Sequence, residues 1–126
     1  MPVKFNVISR INPLKPTEKK KFYANIKNDG ETTLKQLSKR VGTMSTVNSA
    51  DVLAVLDTLL QVMQDELSQG RIVRFGEFGS FAVSLSSEGK EKESEITAAS
   101  VKSAKLLFKP GKDLKNMLTT LEFQKA

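Results

Sequence analysis

The sequence contains no cysteine, no histidine and no tryptophan. The absence of Cys removes disulfides, thiolate metal sites and Cys nucleophiles. The absence of His removes the commonest general base and the commonest zinc ligand. Together these two zeros exclude most hydrolase triads and every Cys/His zinc module. No nucleophile–base pair can be assembled, and the Ser/Lys pairs lack a recognisable context, so the chain reads as a non-enzyme without cofactor, metal or small-molecule substrate. Long apolar runs are missing too. The opening Met-Pro-Val-Lys-Phe-Asn has no signal core and no stretch approaches membrane-spanning length; a cytoplasmic protein with no membrane partner is expected. What is present is positive charge: 20 Lys+Arg against 14 Asp+Glu among 126 residues, +6 overall, with a pI near 9.6. Such a balance points toward a polyanionic partner, and the length suits one domain with a small appendage.

The charge is unevenly spread: +4 over residues 1–31, −1 over 32–70 and +3 over 71–126. The near-neutral, apolar middle is expected to form core or an oligomer interface. Residues 3–11 alternate, with Val3, Phe5, Val7, Ser9 and Ile11 on one side and Lys4, Asn6 and Arg10 on the other, Ile8 being the exception, the pattern of a half-buried strand. A Pro- and Lys-rich loop follows, and Lys21–Asn28 alternates again, so a hairpin with a basic connection is predicted. Thr33 and Gln36 resemble a capping box opening a short helix, with Leu34, Leu37 and Val41 inward and Gly42 as a left-handed C-cap. Asn48 and Asp51 are placed to cap a longer helix running to Gly70. Its apolar residues spread beyond one face, which predicts burial on more than one side. From Arg71 the period becomes two: Ile72–Phe75 and Phe78–Leu85 read as strands around a Gly-rich turn, with Phe78 and Phe81 expected in the core. Residues 86–100 read as an exposed arm or a disordered loop. Leu106–Phe108 reads as a strand, and Pro110-Gly111 opens a last helix with Leu114, Met117, Leu118 and Leu121 on one face.

Among candidate sites, the Gly-rich stretch 70–79 lacks both the GxGxxG spacing and a GK[ST] ending, so it is not read as a nucleotide loop. Its Gly76–Gly79 GxxG lies between strands rather than helices, unlike a KH loop. Asp51, Asp57, Asp65 and Glu66 on the long helix read as solvated charges, not a metal site. The run Lys105-Leu-Leu-Phe-Lys109-Pro-Gly-Lys112 is more informative. Lys105 and Lys109 share one side of a strand, and Lys112 sits at a helix start whose free N–H groups attract phosphate.

The order of elements and two motifs resemble the HU/IHF family of bacterial histone-like DNA-binding proteins. Residues 70–83 are similar to the family's strand pair around a GFG-x-F core, and Phe108–Lys115 matches its FKPGK-x-LK segment almost residue for residue. The added N-terminal hairpin and the C-terminal tail resemble the longer HU-like variants of Bacteroidetes-type bacteria. The resemblance implies an α+β fold: an intertwined dimer, helices under an antiparallel sheet saddle, and extended β-arms that wrap the minor groove, a mode of which HU and IHF are themselves standing examples. It divides the chain into an N-terminal hairpin (1–30), an HU-like domain (31–121, arm 86–100) and a tail (122–126). It implies phosphate contacts from Lys109, Gly111 and Lys112, extended by Lys105 and Arg74, and a dimer interface built from Val55, Leu56, Leu59, Leu60, Met63, Phe78 and Phe81. The chain departs from the family in the arm, which has no Pro and no Arg and a net charge of −2, Lys90 and Lys92 being its cations. It also has Glu77 where a Gly is expected. A basic loop of Lys15, Lys19, Lys20 and Lys21 is either a replacement for the lost arm contacts or a solubilising loop. The expected function is therefore architectural, nucleoid-associated binding of double-stranded DNA without sequence preference, by a homodimer or a heterodimer with a paralogue. The alternative is an HU-derived structural or protein-interaction module.

Overall fold

A computed structural model describes residues 2–126. In chain order it forms β1 (Val3–Arg10), β2 (Lys21–Ile26), α1 (Leu34–Met44), α2 (Ser49–Ser68), β3 (Val73–Phe75), β4 (Gly79–Ser87), β5 (Val101–Pro110), α3 (Lys112–Thr119) and β6 (Phe123–Lys125). The fold is α+β, as expected. Two compact units are distinguished: residues up to Thr33 together with Met117–Ala126, and Leu34–Asn116.

In the first unit, β1 and β2 pair antiparallel with Phe5 opposite Ile26, Val7 opposite Ala24 and Arg10 opposite Lys21. The alternation predicted from the sequence therefore gathers Val3, Phe5, Val7, Phe22 and Ile26 on one face and Arg10, Lys21 and Tyr23 on the other, where Ile8 is the apolar exception. Between the strands, Asn12 fixes the chain: its side-chain oxygen accepts the Leu14 N–H at 3.0 Å and its carbonyl the Lys15 N–H at 3.0 Å. Residues 123–125, read from the sequence as part of a tail, form β6, which lies parallel to β1 on its other edge. The Val3 N–H donates to the Glu122 carbonyl (2.7 Å) and the Ala126 N–H to the Phe5 carbonyl (2.9 Å).

In the second unit, Asn48 caps α2, its side chain accepting the Asp51 N–H at 3.0 Å. The helix ends in a Schellman motif: Gly70, at φ +81, donates to Leu67 and Arg71 to Glu66. Gly42 departs from its expected role. It has no positive φ and lies inside α1, where a Cβ would meet the Ser49 backbone nitrogen at 3.1 Å. Its smallness lets α1 approach the start of α2, and Ser38, 2% exposed, is the other small residue buried on α1. Leu37 and Val41, expected inward, are nearly half exposed.

The second sheet has the order β3-β4-β5, all antiparallel. Gly76, at φ +48, turns β3 into β4, and Glu77 keeps φ negative, so a non-glycine residue is tolerated there. The β4–β5 ladder runs from Gly79–Pro110 out to Ser87–Val101, with an irregularity beside Ser86. Beyond it the stretch expected as an arm or a disordered loop closes into a compact tip of two 3-10 turns, Glu93–Glu95 and Ala98–Ser100. Ser100 is buried there and accepts the Thr97 N–H on its hydroxyl at 3.1 Å, and its carbonyl accepts the Glu88 N–H at 2.8 Å.

Among the described residues the buried apolar side chains are Val52 and Met63 alone. The accessible surface is 10,939 Å². A compact monomer of this mass exposes about 6,700 Å², and even two separately packed units about 7,900 Å². Large apolar side chains contribute to the excess: Val55, Leu59, Leu60 and Val62 on α2, Phe78 in the β3–β4 turn, and Val83, Leu85, Leu106 and Phe108 on the sheet are all exposed.

Candidate nucleic-acid interface

Alternation gives the β3-β4-β5 sheet two chemically different faces. On one, Val73, Phe75, Phe81, Val83, Leu85, Leu106 and Phe108 lie together. Phe81 and Phe108 stand opposite each other with ring centroids 4.7 Å apart, and Phe75 meets Phe81 edge-on at 5.8 Å. Phe78, in the turn, joins this cluster at 6.4 Å from Phe75 and 6.3 Å from Phe108. It is not a core residue, being nearly half exposed; Phe81 is half-buried.

The other face carries cations and hydroxyls on either side of one apolar pair, Ala82 opposite an exposed Leu107. Ser80 is the register partner of both Arg74 and Lys109, so one row crosses all three strands as Arg74–Ser80–Lys109. Four residues back along β5, Lys105 faces Ser84, and beyond it Ser103 faces Ser86 with their hydroxyls 2.9 Å apart. Strand spacing places Arg74 and Lys109 about 10 Å apart, and strand rise places Lys105 and Lys109 about 13 Å apart. Arg74, Lys105 and Lys109 enter no ion pair among the described residues. Exposed cations beside hydroxyl donors suit the oxygens of a phosphodiester backbone. Ala82, Ser84 and Ser86 share by alternation the face that the HU/IHF resemblance would fill with basic residues, whereas the placement of Ser80 and Ser103 opposite cations and hydroxyls is legible only with the strand register in hand.

The α3 start is held by backbone contacts. Gly111 donates to the Phe78 carbonyl at 2.8 Å and Asp113 to the Glu77 carbonyl at 3.0 Å. This corrects the expectation of a freely available helix N-terminus, because the β3–β4 turn already takes one of its first N–H groups. A Cβ on Gly111 would collide with the Glu77 carbonyl. The contribution of Gly111 is thus close approach, which fixes where Lys112 emerges; Lys112 itself is exposed.

The remaining candidates lie apart from this face. Lys90 sits in the tip, 3.3 Å from Glu88, and Lys92 is exposed there beside Glu91 and Glu93. Lys15, Lys19, Lys20 and Lys21 belong to the first unit; Lys15 pairs with Glu18 at 3.5 Å and both are largely exposed. Of the expected dimer-interface residues, Val55, Leu59, Leu60 and Phe78 are exposed and Leu56 is half-buried. Met63 is already 9% exposed within the single chain and leaves little for a partner to cover. Ala54, Val55, Thr58, Leu59 and Val62 line an open apolar groove of about 450 Å³ along α2. Among the described residues no three His, Cys, Asp or Glu side chains converge as metal ligands, and no helix is long and apolar enough to cross a membrane.

Comparison with known proteins gives the same outline. The chain is 36% identical over 87 residues to the DNA-binding protein HU of Thermotoga maritima, covering 66% of this chain and 94% of that one. A solved point mutant of HU from Thermotoga maritima is similar over 69% of this chain and 99% of its own, at 28% identity and a TM-score of 0.51. The fold is shared with Anabaena HU, crystallised with DNA, over 71% of this chain and 99% of that one, at 20% identity and a TM-score of 0.56. It is shared over 98% of the chain with a protein from Bacteroides vulgatus that is ascribed a DNA-binding role, at 12% identity and a TM-score of 0.67. The chain spans about half of that protein's length, 47%. The HU-HIG family, described as an HU domain fused to a wHTH, Ig or glycine-rich motif, matches residues 1–125, and the chain belongs to it.

Proposed function

We propose that the protein is an architectural, nucleoid-associated DNA-binding protein that holds duplex DNA through its phosphates, with little sequence preference. The observation that carries this reading is the row Arg74–Ser80–Lys109, continued by Lys105, on a sheet of a chain that belongs to an HU family. The names of its relatives support it: one is a DNA-binding protein, another was crystallised with DNA. Low sequence preference follows from the side chains. Base edges are read by planar forks such as Arg, Asn or Gln, and the only such side chain in the row is Arg74. Lys112 completes the contact where α3 begins, held in place by the close approach of Gly111 to the β3–β4 turn.

The functional unit is a dimer, with a second copy of the chain or a paralogue covering the α2 groove and the aromatic face of the sheet. The support is the excess of exposed surface, several thousand Å² above that of a compact chain of this size. That is more than a standard interface removes from one partner.

Binding of linear, nicked and cruciform duplexes, titrated across ionic strength, tests the reading. Micromolar or tighter affinity that falls steeply with salt is expected, with the slope lowered by about 0.9 for each phosphate contact removed in Lys105→Ala or Lys109→Ala. The alternative, an HU-derived protein-interaction module, draws on the acidic tip, where Glu88, Glu91, Glu93 and Glu95 outnumber Lys90 and Lys92. Absence of DNA binding at low salt would replace the first reading with the second.

A further inference from the structure

We infer that the polar face of β1 and β2, with the loop joining them, is a second phosphate-binding site, centred on Arg10, Lys19, Lys21 and Tyr23. Naming its ligand as duplex DNA rests on the function proposed above; the site itself rests on independent features. Arg10 and Lys21 are direct register partners across the antiparallel pair. Like charges placed opposite each other destabilise a ladder unless something negative sits between them. Neither residue, nor Lys19, takes part in an ion pair among the described residues. All three line one cavity of about 370 Å³ together with Tyr23, Asn12 and Glu18. Glu18 is the one carboxylate there, and Lys15 engages it from outside the cavity at 3.5 Å. Three cations thus face a single, already paired carboxylate.

Tyr23 shares the face, paired with Ile8 one step along from Arg10, and is about half exposed. Its phenol supplies a neutral donor beside the cations, the combination that phosphate oxygens accept from proteins. The loop is ordered by the Asn12 turn and by the Glu18 N–H donating to the Lys15 carbonyl at 3.1 Å, so Lys19 is presented from a fixed backbone. The site differs from a general basic loop: Lys15 is turned to Glu18, Lys20 does not line the cavity, and Arg10 and Tyr23, from the strands, do. One chain would then hold phosphates on each of its two units.

The test is an amide-resolved NMR titration of the full chain with a short duplex and, separately, with inorganic phosphate. It is repeated on two variants, Arg10→Gln/Lys19→Gln/Lys21→Gln and Arg74→Gln/Lys105→Gln/Lys109→Gln. The expected result is that duplex shifts the resonances of Arg10, Lys21 and Tyr23 in the unmodified chain and still does so in the Arg74/Lys105/Lys109 variant. In the Arg10/Lys19/Lys21 variant the salt slope of DNA binding falls by about 0.9 per lost contact. If duplex shifts only residues of the β3-β4-β5 sheet, this site is overturned and the proposed function stands. If duplex shifts only Arg10, Lys21 and Tyr23, the site stands and the sheet surface is overturned. If duplex shifts neither, both fall. If inorganic phosphate at the same phosphate concentration shifts these residues as much as duplex does, the site is one for small anions, and its assignment to DNA is overturned.

Discussion

A Cβ added to Gly111 would press on the Glu77 carbonyl and lie 2.9 Å from the carbonyl carbon of Phe78. Backbone on both sides leaves nothing soft to yield, so Gly111→Ala must lift the start of α3 off the β3–β4 turn. The expected cost is about 1–3 kcal/mol of stability, read as a lower denaturant midpoint, with weaker DNA binding because Lys112 moves along. An unchanged midpoint would contradict the close approach. Gly111 stood out in the sequence because it lies in a recognisable motif. Gly42 was misjudged for the opposite reason: a glycine near a helix end reads as a C-cap, and only the approach of Ser49 reveals that its smallness is what matters. Glu77 is a third case. Where a glycine was expected, the positive φ is carried instead by Gly76, and Glu77 contributes a backbone carbonyl.

Among the elements, those with long periodic patterns were legible: β1, β2, α1 and α2 lie within a residue or two of their predicted spans, apart from the last turn of α1. The missed pieces were short. β6 has only three residues, too few for alternation to register, and its existence depends on a partner strand far away in sequence. The tip was unreadable because 3-10 turns held by Thr97 and Ser100 need no apolar period. On the basic sheet face, the pairing of Lys105 with Lys109 follows from spacing alone; their alignment with Arg74 needed the register through Ser80. Helix α2 carries the clearest prediction at this scale. Val55 is 65% exposed on the groove that Leu59 and Val62 continue. In the proposed dimer Val55→Glu places a charge on the buried surface, so sedimentation should show monomer at concentrations where the unmodified chain is dimeric. The isosteric Val55→Thr should weaken the dimer less.

For the whole molecule, a chain whose buried apolar side chains among the described residues are Val52 and Met63 would draw stability from the proposed dimer. The midpoint of thermal unfolding should therefore rise with protein concentration, and Met63→Ala, which removes half of that small core, should lower it at every concentration by the equivalent of about 2–4 kcal/mol. A midpoint independent of concentration would contradict the dimer. The net charge of +6 is also best understood at this scale. Residues 1–33 and 117–126 carry eight Lys/Arg against four Asp/Glu, and residues 34–116 twelve against ten, so the first unit holds +4 and the second +2; α2 itself carries four carboxylates and no Lys or Arg.

The parallel pairing of β6 with β1 sets an order in time. A ribosome delivers β1 and β2 first, yet the third strand of their sheet arrives only after every residue of the Leu34–Asn116 unit has been made. Until then the hairpin is two-stranded, an arrangement that is marginal in water, with one edge of β1 open to any passing strand. Synthesis thus finishes the Leu34–Asn116 portion of each chain before its opening strands can settle, and a chain cut after Thr120 should leave them permanently waiting, sensitive to protease and prone to self-association.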